Sequence, residues 1–518
     1  MIIARVFGFA RYRVLNDFFA KEQLDIYYAA FRIPDFIFEV LITGALTTTL
    51  IPFYLKYGRD KAKQARLTSS ILNIIFLSLA AFIIVMIVGM PYIAPLITPG
   101  FSPEALDSIV TLSRWLLIGQ LPFLVFGNVL TGLAQANKIF ILPAFAPVLY
   151  NVAIVVATYF LAPSLGLNST ALGVIIGAVL FFICQLIVIP KIRFSYQPVI
   201  DNMAEIVVFF KAVVPRILTV LAAQIEATID LSLSSLLAQG SYTIFYLAQH
   251  LQLLPVSIIG IAFGQASLPY LSEMYQDEKF KELKRIVIDS LNNIFFLTVP
   301  IAGFFIVNRT AIVRLVYGAS KFDWDATVLT AYTMSFFCIS LPFHSVYYFL
   351  TRCFYATMDT RTPFIVTIFS IIANSILSWY VIAVLRMPVW ALGLTFSVVI
   401  TAQVIVLIGL FARKVGGIDL MFFFQETVKV VVASALSSLV AYDARKLLDG
   451  LIFDTSRTLN LFFLMTITFT IMLLTYLFAA WTLDSQGLFI LTKAGAQLKT
   501  VKKKFSELVA GAEGVTAS

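Results

Sequence analysis

Charge is scarce in this chain. Only 13% of its 518 residues are Asp, Glu, Lys or Arg, against 60% hydrophobic, and the mean hydropathy is +0.93. A soluble domain carries about a quarter charged residues, so this excess of apolar surface cannot be hidden in a water-soluble core. There are two histidines, His250 and His344, and three cysteines, Cys184, Cys338 and Cys353, all three in apolar segments. A His/Cys metal centre is thereby excluded, and the cysteines read as small buried hydrophobes. Neither a GxxxxGK loop nor a GxSxG elbow occurs, which removes the usual footholds for nucleotide hydrolysis and acyl transfer. Arg5, Arg11 and Arg13 interrupt the first apolar stretch, which therefore reads as a spanning segment and not as a cleavable leader.

What is present is a series of apolar runs long enough to cross a bilayer, each needing about 20 residues. Fourteen spans are expected: 2–19, 26–55, 67–89, 108–134, 143–161, 171–189, 212–238, 242–271, 286–307, 327–353, 363–385, 389–411, 428–447 and 459–483. The fold class is thus an all-α polytopic membrane protein. The net charge of +9 then marks cytoplasmic loops and not a nucleic-acid surface. Lys56, Arg59, Lys61, Lys63 and Arg66 follow span 2, and Lys279, Lys281, Lys284 and Arg285 follow span 8. Lys493, Lys499, Lys502, Lys503 and Lys504 lie in the tail, whereas loops 91–106, 162–170 and 239–241 hold no Lys or Arg. Both termini are expected in the cytoplasm. Arg309, Arg314 and Lys321, after span 9, go against this rule.

The chain also repeats itself. "LPFLVFGNVLTGLAQANKIFILP" (121–143) aligns without a gap to "LPFHSVYYFLTRCFYATMDTRTP" (341–363), and "SSILNIIFL" (69–77) to "DSLNNIFFL" (289–297), both at an offset of 220. Six spans separate the copies. An even number preserves orientation, so two parallel pseudo-symmetric six-helix lobes are expected, as in transporters that rock around a central site. The expected organisation is an N-terminal lobe over 1–190, a connector over 191–211 and a second lobe over 212–415. Two extra helices at 416–485 and a basic tail at 486–518 complete it.

A charge at the bilayer centre costs at least about 2.5 kcal/mol, so charges inside spans need partners or a wet cavity. Spans 1 and 2 carry Arg5, Arg11, Arg13, Asp17, Arg32, Asp35 and Glu39. Arg32, Asp35 and Glu39 share a helical face. Glu226 and Asp230 in span 7 lie one turn apart and repel unless a cation or proton lies between them, which reads either as a coupling-ion site or as an ion pair to a neighbouring helix. His250, beside Gln249 and Gln252, reads as a hydrogen-bonded packing residue or as a ligand. Pro34, Pro122, Pro255 and Pro342 fall inside spans and are expected to kink them.

These segments carry a resemblance. "ARVFGFAR" (4–11), "DIYYAAFRIPD" (25–35), "ILPAFAPVLYN" (141–151), "RLVYGASKF" (314–322) and "FYATMDTRTP" (354–363) resemble signatures of the MurJ (MviN) family of lipid II flippases. That family lies within the multidrug, oligosaccharidyl-lipid and polysaccharide exporter superfamily. The resemblance implies a flippase in the bacterial inner membrane, not an enzyme. It would move an undecaprenyl-diphosphate-linked sugar-peptide to the outer leaflet by alternating access. Arg5, Arg11, Arg32 and His250 are the expected substrate contacts. Asp230 and Asn374 match the family's sodium positions, with Glu226 adjacent, so sodium is the expected coupling ion and no other cofactor is expected. The expected partners are the lipid-linked glycan, membrane lipids and cell-wall synthesis proteins, with the chain a monomer. Where the family has arginine in span 2 this chain has Phe38 and Glu39, and Gln249 and His250 replace its Asp-Arg pair in span 8. The alternatives are a flippase for another polyprenyl-diphosphate oligosaccharide and a cation-coupled small-molecule exporter of the same fold.

Overall fold

The computed structural model describes residues 2–42, 47–57, 60–192, 194–451 and 457–488. The elements are helices α1 (Ile2–Phe18), α2 (Lys21–Leu41), α3 (Thr47–Lys56), α4 (Lys61–Ile97), α5 (Pro103–Gly119), α6 (Leu121–Ala136), α7 (Ile141–Leu165), α8 (Asn168–Leu186), α9 (Val188–Ile192) and α10 (Met203–Ser235). They continue with α11 (Ser241–Val256), α12 (Ala262–Gln276), α13 (Phe280–Val307), α14 (Arg309–Tyr317), α15 (Trp324–Ile339), α16 (Leu341–Ala356), α17 (Arg361–Trp379), α18 (Trp390–Lys414), α19 (Leu420–Leu451) and α20 (Thr458–Thr482). No strand occurs among the described residues. The all-α polytopic class is thus confirmed.

Among the described residues ten helical stretches are long and apolar enough to cross a membrane, eleven if the bent pair α15–α16 is one span. The expected spans outside this set are the first, second and seventh, which correspond to α1, α2 and α10. α1 has only 17 residues, and α2 carries Asp25, Arg32, Asp35 and Glu39, whereas α10, at 33 residues, is long enough to span. The expected basic tail lies outside the described residues from 489 onward.

The repeat is written in the backbone. α6 and α16 are both 16 residues long and begin 220 residues apart, as do α7 and α17. Pro122 and Pro342 do not kink continuous helices as expected. Each stands in the first turn of a new helix, where its missing N–H costs nothing, and the preceding helix has already ended. The second of these breaks bends by 48°. After each, Lys138 (φ 60°) and Met358 (φ 56°) turn the chain through the left-handed region. The closing bonds match too: Ile139 N donates to Ala134 O and Asp359 N to Phe354 O, each at 2.9 Å. Pro255 does act within a helix. It is followed by a π-helical turn over Ser257–Ile261, the usual response to a displaced backbone hydrogen bond.

The connector leaves α9 as an extended segment bonded to the start of α4. Gln197 N donates to Ser69 Oγ (3.0 Å), Asp201 N to Ser70 Oγ (3.0 Å) and Asn73 Nδ2 to Val199 O (2.8 Å). α10 begins at Met203, inside the stretch expected to be connector.

The chain divides into two compact units that do not follow the order of the repeat. One comprises Met1–Gln249, Ile312–Thr333 and Ile368–Phe396; the other comprises His250–Ala311, Met334–Thr367 and Ser397–Ser518. In the first, the 312–333 segment is fastened to the end of α1. Arg13 Nη1 donates to Leu315 O (2.9 Å), Asn16 Nδ2 to Tyr317 O (3.2 Å) and Ser320 N to Asp17 Oδ1 (3.0 Å), while Lys21 pairs with Asp323 (2.8 Å). Asp25, buried, caps the start of α11 by accepting from Gly240 N (2.6 Å) and Thr243 N (2.7 Å). Gly240 has φ +89°, and a Cβ there would strike the Lys21 side chain. In the second unit, Leu291, Phe295, Phe349, Phe354 and Phe411 form a core from α13, α16 and α18. The two extra helices join it through Phe296, Val430, Tyr476 and Ala480, with Tyr476 Oη donating to Phe296 O at 2.7 Å. All three cysteines are buried and unpaired.

Candidate functional site

α10 continues as one helix past Glu226 and presents Asp230, 1% exposed, to α17. Asn374 Nδ2 donates to both carboxylate oxygens of Asp230, at 3.1 Å each. Ser378 Oγ, one turn further along α17, lies 3.4 Å from Asp230 Oδ1 and 2.8 Å from Thr395 Oγ1 of α18. No basic side chain pairs with Asp230 or Glu226 among the described residues. A carboxylate buried with neutral donors alone is expensive in a low-dielectric interior. Among the described residues, then, Asp230 meets neutral donors and no ion-pair partner. The remaining donors are all oxygens: the carboxylate, two hydroxyls, and Asn374 Oδ1, which is buried without a hydrogen-bond partner. A half-turn of the amide presents that oxygen in place of the nitrogen. Such a set suits a hard monovalent cation, or a proton on Asp230. Thr395 was not anticipated, because a hydroxyl near the start of a span looks like any packing hydroxyl.

Arg32 on α2 reaches the same helix within the two turns before Asp230. Its Nε donates to Thr228 Oγ1 (2.8 Å) and its Nη2 to Gln224 O (2.6 Å) and Gln224 Oε1 (2.9 Å). The guanidinium thus ties α2 to α10, a use that the shared face of Arg32, Asp35 and Glu39 did not foretell. Asp35 lies within electrostatic reach of both Arg32 and Arg11.

Arg11 is half-buried. Its guanidinium sits 4.8 Å above the Tyr12 ring, and its Nε is buried with no hydrogen-bond partner. Tyr27 of α2, Tyr150 of α7 and Tyr246 of α11 lie within its electrostatic reach. Arg5, two turns earlier on α1, is exposed. Arg11, Arg32, Glu226, Asp230 and Asn374 all belong to the first unit, whereas His250 opens the second. The other histidine, His344, lies in that second unit too. His344 Nδ1 lies 3.2 Å from Gln252 Nε2, and its ring stacks on Tyr348. The tyrosines were missed as site residues because aromatics in a span pass for core.

The first unit thus holds a charged and aromatic cluster around Arg11 and a buried oxygen site around Asp230, inside an apolar helical bundle. A family model described as "Lipid II flippase MurJ" matches residues 15–463. The lipid II flippase MurJ of Burkholderia cenocepacia is 29% identical over 413 residues, 77% of this chain and 78% of that protein. The probable lipid II flippase MurJ of Rickettsia prowazekii is 27% identical over 380 residues, 72% and 74% of the two chains. Among solved structures, a lipid II flippase MurJ in an inward closed conformation superposes with TM-score 0.76 at 23% identity, covering 92% of this chain and 96% of that one. An inward-facing multidrug transporter of the MATE family superposes with TM-score 0.69 at 13% identity, covering 80% and 94%. The family is one of transporters and not of enzymes, and this chain belongs to it: it is a member of the lipid II flippase MurJ family.

Proposed function

We propose that this protein flips lipid II from the inner to the outer leaflet of the bacterial inner membrane, its two repeat lobes alternating access to a site that includes Arg11. The observation that carries this reading is the Arg11 guanidinium: held among tyrosines inside the first unit, half-exposed, with a buried N–H that no protein group satisfies. Guanidinium binds phosphate oxygens through paired hydrogen bonds, so an open arginine in an apolar bundle suits the diphosphate of a lipid carrier. Arg5, exposed near the start of the same helix, would meet the headgroup earlier.

An inside-negative potential drives an anionic headgroup outward, with about 2.3 kcal/mol per charge per 100 mV. Resetting the protein falls to Asp230, Asn374, Ser378 and Thr395, with Glu226 one turn away. These residues would hold a sodium ion, which supplies charge neutralisation of the buried carboxylate. The chain's own part is to exclude water there and to couple α10, α17 and α18 to occupancy. The loop charges support a cytoplasmic position for both termini, and a monomer suffices for this cycle.

The test is transport. Purified protein in vesicles should translocate lipid II, and the gene should restore growth to a cell depleted of its own flippase. Failure of both, with cation-coupled export of small molecules intact, would favour the exporter reading.

A further inference from the structure

Arg11 Nε is not the only unsatisfied polar atom in its neighbourhood. Tyr28 Oη and Gln120 Oε1 are also buried without hydrogen-bond partners. Gln120, 3% exposed, occupies the break between α5 and α6, and its Nε2 lies 3.4 Å from Tyr150 Oη. Tyr150 and Tyr28 both lie within electrostatic reach of Arg11. Tyr28 stacks on Tyr246 with ring centroids 4.2 Å apart and planes at 22°. Tyr150 and Tyr246 are half-buried, while Tyr28 and Gln120 are buried. The cluster therefore combines buried polar atoms without partners and half-buried aromatic rings.

Buried polar atoms are nearly always paired, so three orphans in one cluster point to something that pairs with them. Their chemistry narrows what it is. Arg11 Nε can only donate, Gln120 Oε1 can only accept, and Tyr28 Oη does either. A phosphate offers acceptors alone and leaves Gln120 unsatisfied. A sugar joined to a phosphate offers both kinds of group, together with an apolar ring face to lay against tyrosine.

We propose that Arg11, Tyr28, Tyr150 and Gln120 form a subsite for the sugar adjoining the diphosphate of the lipid-linked substrate, with Tyr246 as its aromatic lip. This rests on the flippase reading and adds to it the part of the headgroup that is recognised. A site built to bond hydroxyl or amide groups rejects a ligand that lacks them, because its own polar atoms are then left bare.

The experiment compares binding of lipid II and of undecaprenyl diphosphate, which has no sugar, to purified protein in lipid nanodiscs. The wild type should prefer lipid II. Tyr28→Phe and Gln120→Leu should each weaken lipid II binding about tenfold, and undecaprenyl diphosphate binding less than about twofold. Equal losses for both ligands, or no loss for either, would overturn the subsite; the second outcome would mean that the orphans hold only water. Equal wild-type affinity for the two ligands would remove the subsite while leaving the diphosphate reading standing, and binding of neither would remove both. Should Gln120→Leu fail to fold, Tyr28→Phe, which deletes one oxygen, carries the test.

Discussion

Asn374 Nδ2 donates to both carboxylate oxygens of Asp230, at 3.1 Å each, while its own Oδ1 is buried with no partner. One amide thus stands against the buried carboxylate with its acceptor unused. Two outcomes follow from a cation or proton entering here. Asp230→Asn should remove the ion dependence of transport while leaving lipid II binding within about threefold, since the carboxylate resets the protein and does not touch substrate. Transport rates measured against sodium and against pH check this, and a wild type insensitive to both ends the coupling reading.

Arg11→Ala should abolish transport with expression and melting temperature near those of the wild type, because its Nε makes no hydrogen bond within the protein. Arg11→Lys should recover only part of the activity, a point charge being a poor substitute for a planar fork. Full complementation of a flippase-depleted strain by Arg11→Ala would refute the role.

Arg32→Ala should behave in the opposite way. The side chain makes three hydrogen bonds to α10, and removing it takes the donor from Gln224 Oε1, while Thr228 Oγ1 keeps its bond to Gln224 O. A loss of about 1–3 kcal/mol of stability is expected, read as a lower melting temperature in detergent. An unchanged melting temperature with lost transport would move Arg32 from the scaffold to the substrate.

Asp359, in the loop between α16 and α17, gives a pH signature. Burial pushes its carboxyl up, but this is outweighed by hydrogen bonds from Thr362 N, Lys414 Nζ and Thr362 Oγ1, which hold its pKa at about 2. A depressed carboxyl contributes stability above its unfolded value of 3.8 and loses it as pH falls through about 2. Asp359→Asn should therefore lower the melting temperature at pH 7, and the gap from wild type should shrink below pH 4. A gap that stays constant down to pH 3 would show that the bonds and not the charge matter.

Several features were legible in the sequence because they depend on composition and on local backbone chemistry. An apolar excess forces helices that satisfy their own backbone in lipid. The 220-residue offset reappears as equal helices α6 and α16 and as matching left-handed residues Lys138 and Met358, because short-range turns are encoded by the residues that make them. Asp230 and Asn374 were legible through the family's pattern. What tertiary structure alone decided is which polar groups meet. Arg32 reads as one of three charges on a face, yet it spends its donors on a helix nearly 200 residues away. Nothing in the sequence singles out Tyr28 or Gln120, yet packing leaves an oxygen of each buried without a partner. Pairing is set by long-range approach of helices in a medium where an unmet charge is costly. No local pattern records which partner, if any, will be there.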